Sequence, residues 1–207
     1  MTDDPALLGL MRAISSGEGA LLSQRLAATP ELAGARLIRG ASRAASEEFF
    51  LDECRAYAYA GHTALHVAAA AYNIEFAREL VAAGADVRAT NRRGAEPLHE
   101  AVNGGPGSPN WDPRRQAAMI TYLIEAGGDP DAVAAGGVTA LHRAVRNRCA
   151  AAVRALLDAG ADPLRKNDNG STAIALAHWT TGRGGTGSPE AKAQQADIIE
   201  MLAAAAG

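Results

Sequence analysis

Three imidazoles close three copies of one tetrapeptide: Thr63-Ala64-Leu65-His66, Glu96-Pro97-Leu98-His99 and Thr139-Ala140-Leu141-His142. Histidine at recurring positions is the raw material of a metal site or of acid–base chemistry, because the ring titrates near neutrality and its free nitrogen is a good ligand. Glu100 and Arg143 directly follow two of these histidines. A carboxylate and a guanidinium so placed read in two ways, as a structural ion pair or as a polar anchor for a ligand. Joined by Tyr59 or His62, they would make a small-molecule or catalytic site. Two Gly-x-Gly-Ser-Pro runs, at residues 105–109 and 185–189, have the glycine content of a phosphate cradle. They lack the Gly-Lys-Ser/Thr ending of a P-loop. Ser188 with Pro189, or Asp112 with Pro113, reads instead as a helix N-cap with proline at the first helical position. Cys54 and Cys149 lie far apart, have no metal-ligand spacing and read as reduced thiols. No nucleophile elbow, HExxH, Rossmann or Walker pattern occurs. The balance of these residues is against an enzyme, and no catalytic residue, metal or cofactor is expected.

The positions around the histidines repeat as a whole. A glycine precedes each tetrapeptide by two residues (Gly61, Gly94, Gly137), and Gly170 precedes a worn fourth copy, Thr172-Ala173-Ile174-Ala175; these glycines are 33, 43 and 33 residues apart. A second signal trails the first three copies: Gly84-Ala85-Asp86, Gly127-Gly128-Asp129 and Gly160-Ala161-Asp162. A period of this length means stacked units, each too small to bury its apolar face alone. The T-P-L-H-x-A pattern at this period resembles the ankyrin repeat, one β-turn and two antiparallel helices per unit, over roughly residues 58–207.

The resemblance implies an all-α fold, an ankyrin-repeat solenoid of about five helix-turn-helix units with finger turns. Residues 1–57 would be an N-terminal capping repeat plus a finger-side insertion. Residues 58–207 would be four repeats (58–90, 91–133, 134–166 and 167–207) in one continuous domain. It also implies one structural histidine per unit, its ring bonded to backbone in a neighbouring finger; the last unit has Ala175 there. Partners of such repeats bind along the finger tips and the exposed face of the inner helices. Carried over by position, that gives Tyr59, His62, Arg92, Arg93, Glu100, Asn103, Arg143, Arg146, Asn147, Lys166, Asp168, Asn169 and Trp179. Stacked units lie ~10 Å apart, the spacing of packed helices, so Glu100 and Arg143 would be bridgeable through their long side chains.

Within a unit, residues 62–71 read as an inner helix with Thr63 as N-cap, and residues 74–81, with apolar residues at helical spacing, read as an outer helix. Gly84 supplies a left-handed stop, and residues 85–94 form the finger. Glu96 breaks the threonine rule in the second unit, and Pro97 at the first helical position partly compensates. The ten residues by which the second unit exceeds the period are assigned to a loop at 104–113. Residues 7–14 and 20–26 make a worn helix pair around Gly17 and Gly19, as a terminal cap should. Residues 46–53 read as a short acidic helix, in an insertion that leans over the mouth of the groove.

Composition narrows the function. Hydrophobic residues make up 48% of the chain but aromatic ones only 4%, so alanine dominates, and it suits closely packed helices. A net charge of −3 argues against a nucleic-acid partner. No apolar run reaches the length of a membrane span, and the acidic start Met1-Thr2-Asp3-Asp4-Pro5 lacks the basic n-region of a signal peptide, so a cytoplasmic protein is expected. Richness in Ala, Gly and Arg is the composition of a GC-rich bacterial gene. Arginine and large aromatics dominate binding hot spots, so Arg92, Arg93, Arg143 and Arg146 with Tyr59 and Trp179 point to another protein bearing an acidic surface. The leading expectation is a protein–protein interaction scaffold that uses the concave groove and finger tips. The competing one is a small-molecule-binding or catalytic pocket between the groove and the 36–57 insertion.

Overall fold

Outer helices stop at a glycine and inner helices start at a cap, and both devices recur with the repeat in the computed structural model, which describes residues 4–43, 45–178 and 188–207. The chain divides into two units, residues 1–101 and 102–207, and the boundary falls between the inner and outer helix of the second repeat.

In the first unit, α1 (Asp4–Ser16) and α2 (Gly19–Ala28) are the expected worn pair. The repeat helices that follow are α3 (Ala64–Ala70), α4 (Ile74–Ala82) and α5 (Pro97–Ala101). Inner helix α3 packs between α1 and α5, and outer helix α4 packs on α3 and α2. Leu7, Leu10, Met11 and Ile14 of α1 meet this core, as do Leu65, Leu80 and Leu98. Each such side chain contributes roughly 1.5–3 kcal/mol by leaving water. The second unit repeats the arrangement with α6 (Pro113–Glu125), α7 (Ala140–Arg146), α8 (Ala150–Asp158), α9 (Ala173–Ala177) and α10 (Pro189–Ala205). Outer helix α8 packs between α6 and α10, and inner helix α7 packs on α9. Met119, Ile120, Leu123, Leu141, Val153, Leu156, Ile198 and Leu202 are its core. Both units are built as an all-α ankyrin-repeat solenoid requires.

Thr139 and Thr172 accept the amides of His142 and Ala175, satisfying donors of the first helical turn. Asp112 accepts from Arg114 and Arg115 and Ser188 from Ala191, each with proline next, as the sequence predicts. At the outer-helix ends Gly84, Gly127 and Gly160 hold φ of 95, 106 and 87°. This left-handed turn lets Ala85, Gly128 and Ala161 donate back to Leu80, Leu123 and Leu156 at 2.9, 2.9 and 3.0 Å. The fingers close at 91–95, 134–138 and 167–171, where Asn91, Ala134 and Asn167 each donate to the carbonyl four residues on. Neighbouring fingers are tied by Arg92 N–H to the Ala60 carbonyl in the first unit, and by Asp168 N–H to the Gly136 carbonyl in the second.

Two expectations need correction. The extra length of the second repeat does not go wholly into a loop. Outer helix α6 has 13 residues against 9 in α4 and α8, so one additional helical turn takes up part of it. Gln116 in that turn explains why it forms. It is fully buried, donates to the Asn103 carbonyl at 3.1 Å and accepts from the Trp111 indole at 3.0 Å, which ties the loop to the helix. Gln116→Leu is expected to cost about 1 kcal/mol in chemical denaturation, the net worth of such bonds; an unchanged midpoint would remove this role.

The acidic helix over 46–53 is also absent. One 3-10 turn, Glu47–Phe49, leads into a hairpin of β1 (Phe50–Leu51) and β2 (Ala56–Tyr57), with Phe50 opposite Tyr57 and Leu51 opposite Ala56. Three apolar residues in a row cannot share one face of an eight-residue helix, and so short a helix pays the nucleation cost for few bonds. Extended, the chain turns Phe49 and Leu51 inward onto the unit's core and leaves Phe50 half-exposed. Trp179 and the glycine-rich residues 181–187 lie outside the described residues.

Candidate functional site

The motif histidines are structural in geometry. Thr63 N–H donates to Nδ1 of His66 at 3.1 Å, so the proton is on Nε2, which donates to the Ala95 carbonyl of the next finger at 3.0 Å. His142 does the same with Thr139 (3.2 Å) and Ser171 (3.1 Å), and Nδ1 of His99 accepts from Glu96 N–H at 3.1 Å. Burial lowers the pKa of His66 from 6.5 to about 4, and also lowers that of His142. Both rings are therefore neutral with both nitrogens engaged, and neither has a lone pair left for a metal. Among the described residues no three His, Cys, Asp or Glu side chains are placed to hold a metal ion together. The thiols are equally quiet. Burial pushes Cys149 up to about 12, with its S–H donating to the Gly104 carbonyl at 2.9 Å, and burial also raises Cys54. Neither is a thiolate at neutral pH, so neither is a nucleophile.

His62 does not lie where the carry-over put it. Instead of facing a partner it is buried, because the 91–95 finger closes over it. Its ring stacks on His66 at 4.8 Å, the Asn91 amide donates to Nε2 at 2.9 Å, and Glu100 Oε1 lies 3.8 Å away. Asn91 is held for this task by its own oxygen, which accepts from Arg93 and Ala95. Glu100 thus stands beside His62 within the first unit, while Arg143 is half-buried on α7 in the second.

The exposed groups of the first unit gather around Tyr59. Arg92 and Arg93 project from the finger tip, and the Arg92 guanidinium lies 5.5 Å above the half-buried Tyr59 ring. Tyr59 sits edge-on to His62 at 5.6 Å and next to Tyr57 of the hairpin at 6.3 Å, and Tyr57 packs on Phe50 at 4.8 Å. Phe50 falls in the segment whose acids predict a helix, and for Tyr57 the alternation with Tyr59 is the available signal. In the second unit Arg146, Lys166, Asp168 and Asn169 are exposed. Asn147 is spent on the fold, its amide donating to the Val102 carbonyl at 2.8 Å, and the half-buried Asn103 offers its carbonyl to Gln116.

The described residues of the insertion are packed against the first unit. Its hairpin packs onto α1, where Arg12 donates to the Glu48 carbonyl at 2.8 Å and Ser15 to Glu53 at 3.3 Å. Residues 37–41 run antiparallel to 58–62, with Leu37 bonded to His62 and Gly61, and Ala41 to Ala58. The small-molecule reading is accordingly not favoured.

Residues 60–92 match the family model described as an ankyrin repeat, and residues 123–177 match the model for ankyrin repeats in many copies. The chain carries ankyrin repeats over these residues. A curated relative of the ankyrin-repeat chain is the Mus musculus protein named Ankyrin repeat and SOCS box protein 16. It is 38% identical over 112 residues, which are 53% of this chain and 24% of the relative. The ankyrin-repeat chain therefore spans about a quarter of that protein's length. No helix among the described residues is long and apolar enough to cross a membrane.

Proposed function

We propose that this ankyrin-repeat protein is a non-catalytic interaction scaffold that binds another protein, one with an acidic surface, through its finger tips and inner-helix faces. Ankyrin repeats are protein–protein interaction modules, and the observation that carries the finer reading is the state of the finger-tip arginines. Arg92 and Arg93 are exposed, and among the described residues no carboxylate pairs with either. Unpaired guanidiniums beside an aromatic ring are the composition of an interface hot spot. Tyr59, Arg92, Arg93 and Glu100 would act in the first unit, and Asn103, Arg143, Arg146 and Lys166 in the second. The Ala-, Gly- and Arg-rich composition is what supports proposing a bacterial, cytoplasmic protein.

The test compares partner capture by the full chain and by four charge reversals. Arg92→Glu and Arg146→Glu are expected to weaken capture, and more so at low salt, because exposed charges are screened over ~8 Å at physiological ionic strength. Arg78→Glu on α4 and Arg154→Glu on α8 are expected to leave it unchanged, since both lie on outer helices. Equal losses from all four variants would mean that the partner does not use the fingers.

A further inference from the structure

Tyr57 on the hairpin is 41% exposed and stands at the middle of a line of groups. Phe50 lies beside it at 4.8 Å, Tyr59 follows at 6.3 Å, and the Arg92 guanidinium lies over Tyr59 at 5.5 Å, with Arg93 adjacent on the same finger. Among the described residues the phenols of Tyr57 and Tyr59 and the guanidiniums of Arg92 and Arg93 have no hydrogen-bond or ion-pair partner. Two other arginines of the unit are engaged. Arg36 holds Asp86 at 3.9 Å and the Thr90 carbonyl at 2.6 Å, and Arg88 holds Glu96 at 3.6 Å. With the Tyr59 ring below it, the Arg92 guanidinium keeps its N–H edges open, and such edges take a carboxylate in bidentate fashion.

We infer that the hairpin and the 91–95 finger together form a docking strip for a linear segment of a partner protein. The segment has an aromatic or long aliphatic residue lying on Tyr57 and Phe50, and carboxylates at the end that meets Arg92 and Arg93. This rests on the interaction-scaffold reading and adds to it the hairpin, which is no part of the repeat, and the chemistry of the bound segment. Charge also orients the segment. The turn beyond Tyr57 carries exposed Asp52, Glu53 and Arg55, one net negative charge against the two positive charges of Arg92 and Arg93, so carboxylates are favoured at the finger. Three steps of 4.8–6.3 Å accommodate about five extended residues at ~3.3 Å each. The segment is therefore acidic at one end only, with its apolar anchor a few residues away.

The test is selection of random dodecapeptides displayed on phage against the full chain, followed by anisotropy titration of the synthesised winners. Winners are expected to pair an apolar anchor with acidic residues on one side of it. Tyr57→Ser, and the double change Arg92→Glu with Arg93→Glu, are each expected to weaken them at least about tenfold, as loss of a hot-spot residue does. Arg154→Glu, on outer helix α8, should leave them unchanged. Tyr57 is exposed, so circular dichroism and the melting temperature of Tyr57→Ser should match the parent. Basic or uncharged winners, no winners at all, or winners indifferent to Tyr57→Ser would overturn the docking strip. Winners lost on Arg146→Glu but not on Tyr57→Ser would overturn it and leave the scaffold reading standing. Winners indifferent to every variant would remove both.

Discussion

Gly40→Ala is expected to lower stability by about 2–3 kcal/mol, the upper part of the range for forcing atoms into a filled space. Gly40 lies where residues 37–41 run against 58–62, a pairing held by bonds of 2.7 to 2.9 Å among Leu37, Ala41, Ala58, Gly61 and His62. A Cβ at position 40 would stand 2.2 Å from the Ala60 amide nitrogen and 2.4 Å from the Tyr59 carbonyl carbon. Both contacts are with backbone, so no side chain can swing aside, and the two segments must separate. Separation moves Tyr59, the ring under Arg92, so the same variant is expected to weaken any ligand that uses the finger tip. Urea unfolding of Gly40→Ala beside Gly17→Ala gives the comparison, because a Cβ at Gly17 meets nothing within 4 Å, and the cost there is only that of its φ of 77°. An unfolding midpoint for Gly40→Ala equal to that of the parent would mean that the insertion is not seated as described.

The repeats were legible because their signals are local. A threonine before Ala-Leu, a glycine after an outer helix and an asparagine opening a finger each act within a few residues, so spacing alone places α3, α4, α7 and α8. The worn pair α1 and α2 was legible for the same reason, from apolar spacing around Gly17 and Gly19. What the sequence could not show depended on distant partners. The 46–57 segment has helix-forming acids, yet Phe49 and Leu51 are drawn into the core on α1, and that contact selects a hairpin. Gln116 carries no local signal of burial, and it is buried because a loop thirteen residues earlier in the chain needs its amide. His62 resembled an exposed polar residue, and only the closing of the 91–95 finger, 29 residues on, buries it. The finger-tip arginines were found by position in the repeat, but their relation to Tyr57 could not be, since the hairpin belongs to no repeat.

His66→Ala is expected to cost about 2–3 kcal/mol and to change how stability depends on pH. The ring joins two elements, accepting from Thr63 at the start of α3 and donating to Ala95 in the next finger. Ala95 is 1% exposed, so its carbonyl keeps the Asn91 N–H but loses its second donor with no water to replace it. The buried Thr63 amide loses its acceptor, and a buried unsatisfied group costs roughly 1–3 kcal/mol. Protonation reaches the same bonds by another route. In the unfolded chain the imidazole takes up a proton near 6.5, whereas burial holds the folded ring neutral down to about 4. Between those values the unfolded state binds more protons, so stability falls as pH falls through that window, and it is fully retained above it. His142, lowered in the same direction by burial, adds to the slope. Denaturation of the parent from pH 7.5 to 4.5 should therefore show a loss that His66→Ala lacks in part, since the variant has already lost the group that resists protonation. Parallel curves for parent and variant would mean that the ring titrates alike folded and unfolded. A variant that kept its melting temperature but lost a bound ligand or metal would return this histidine to the functional site.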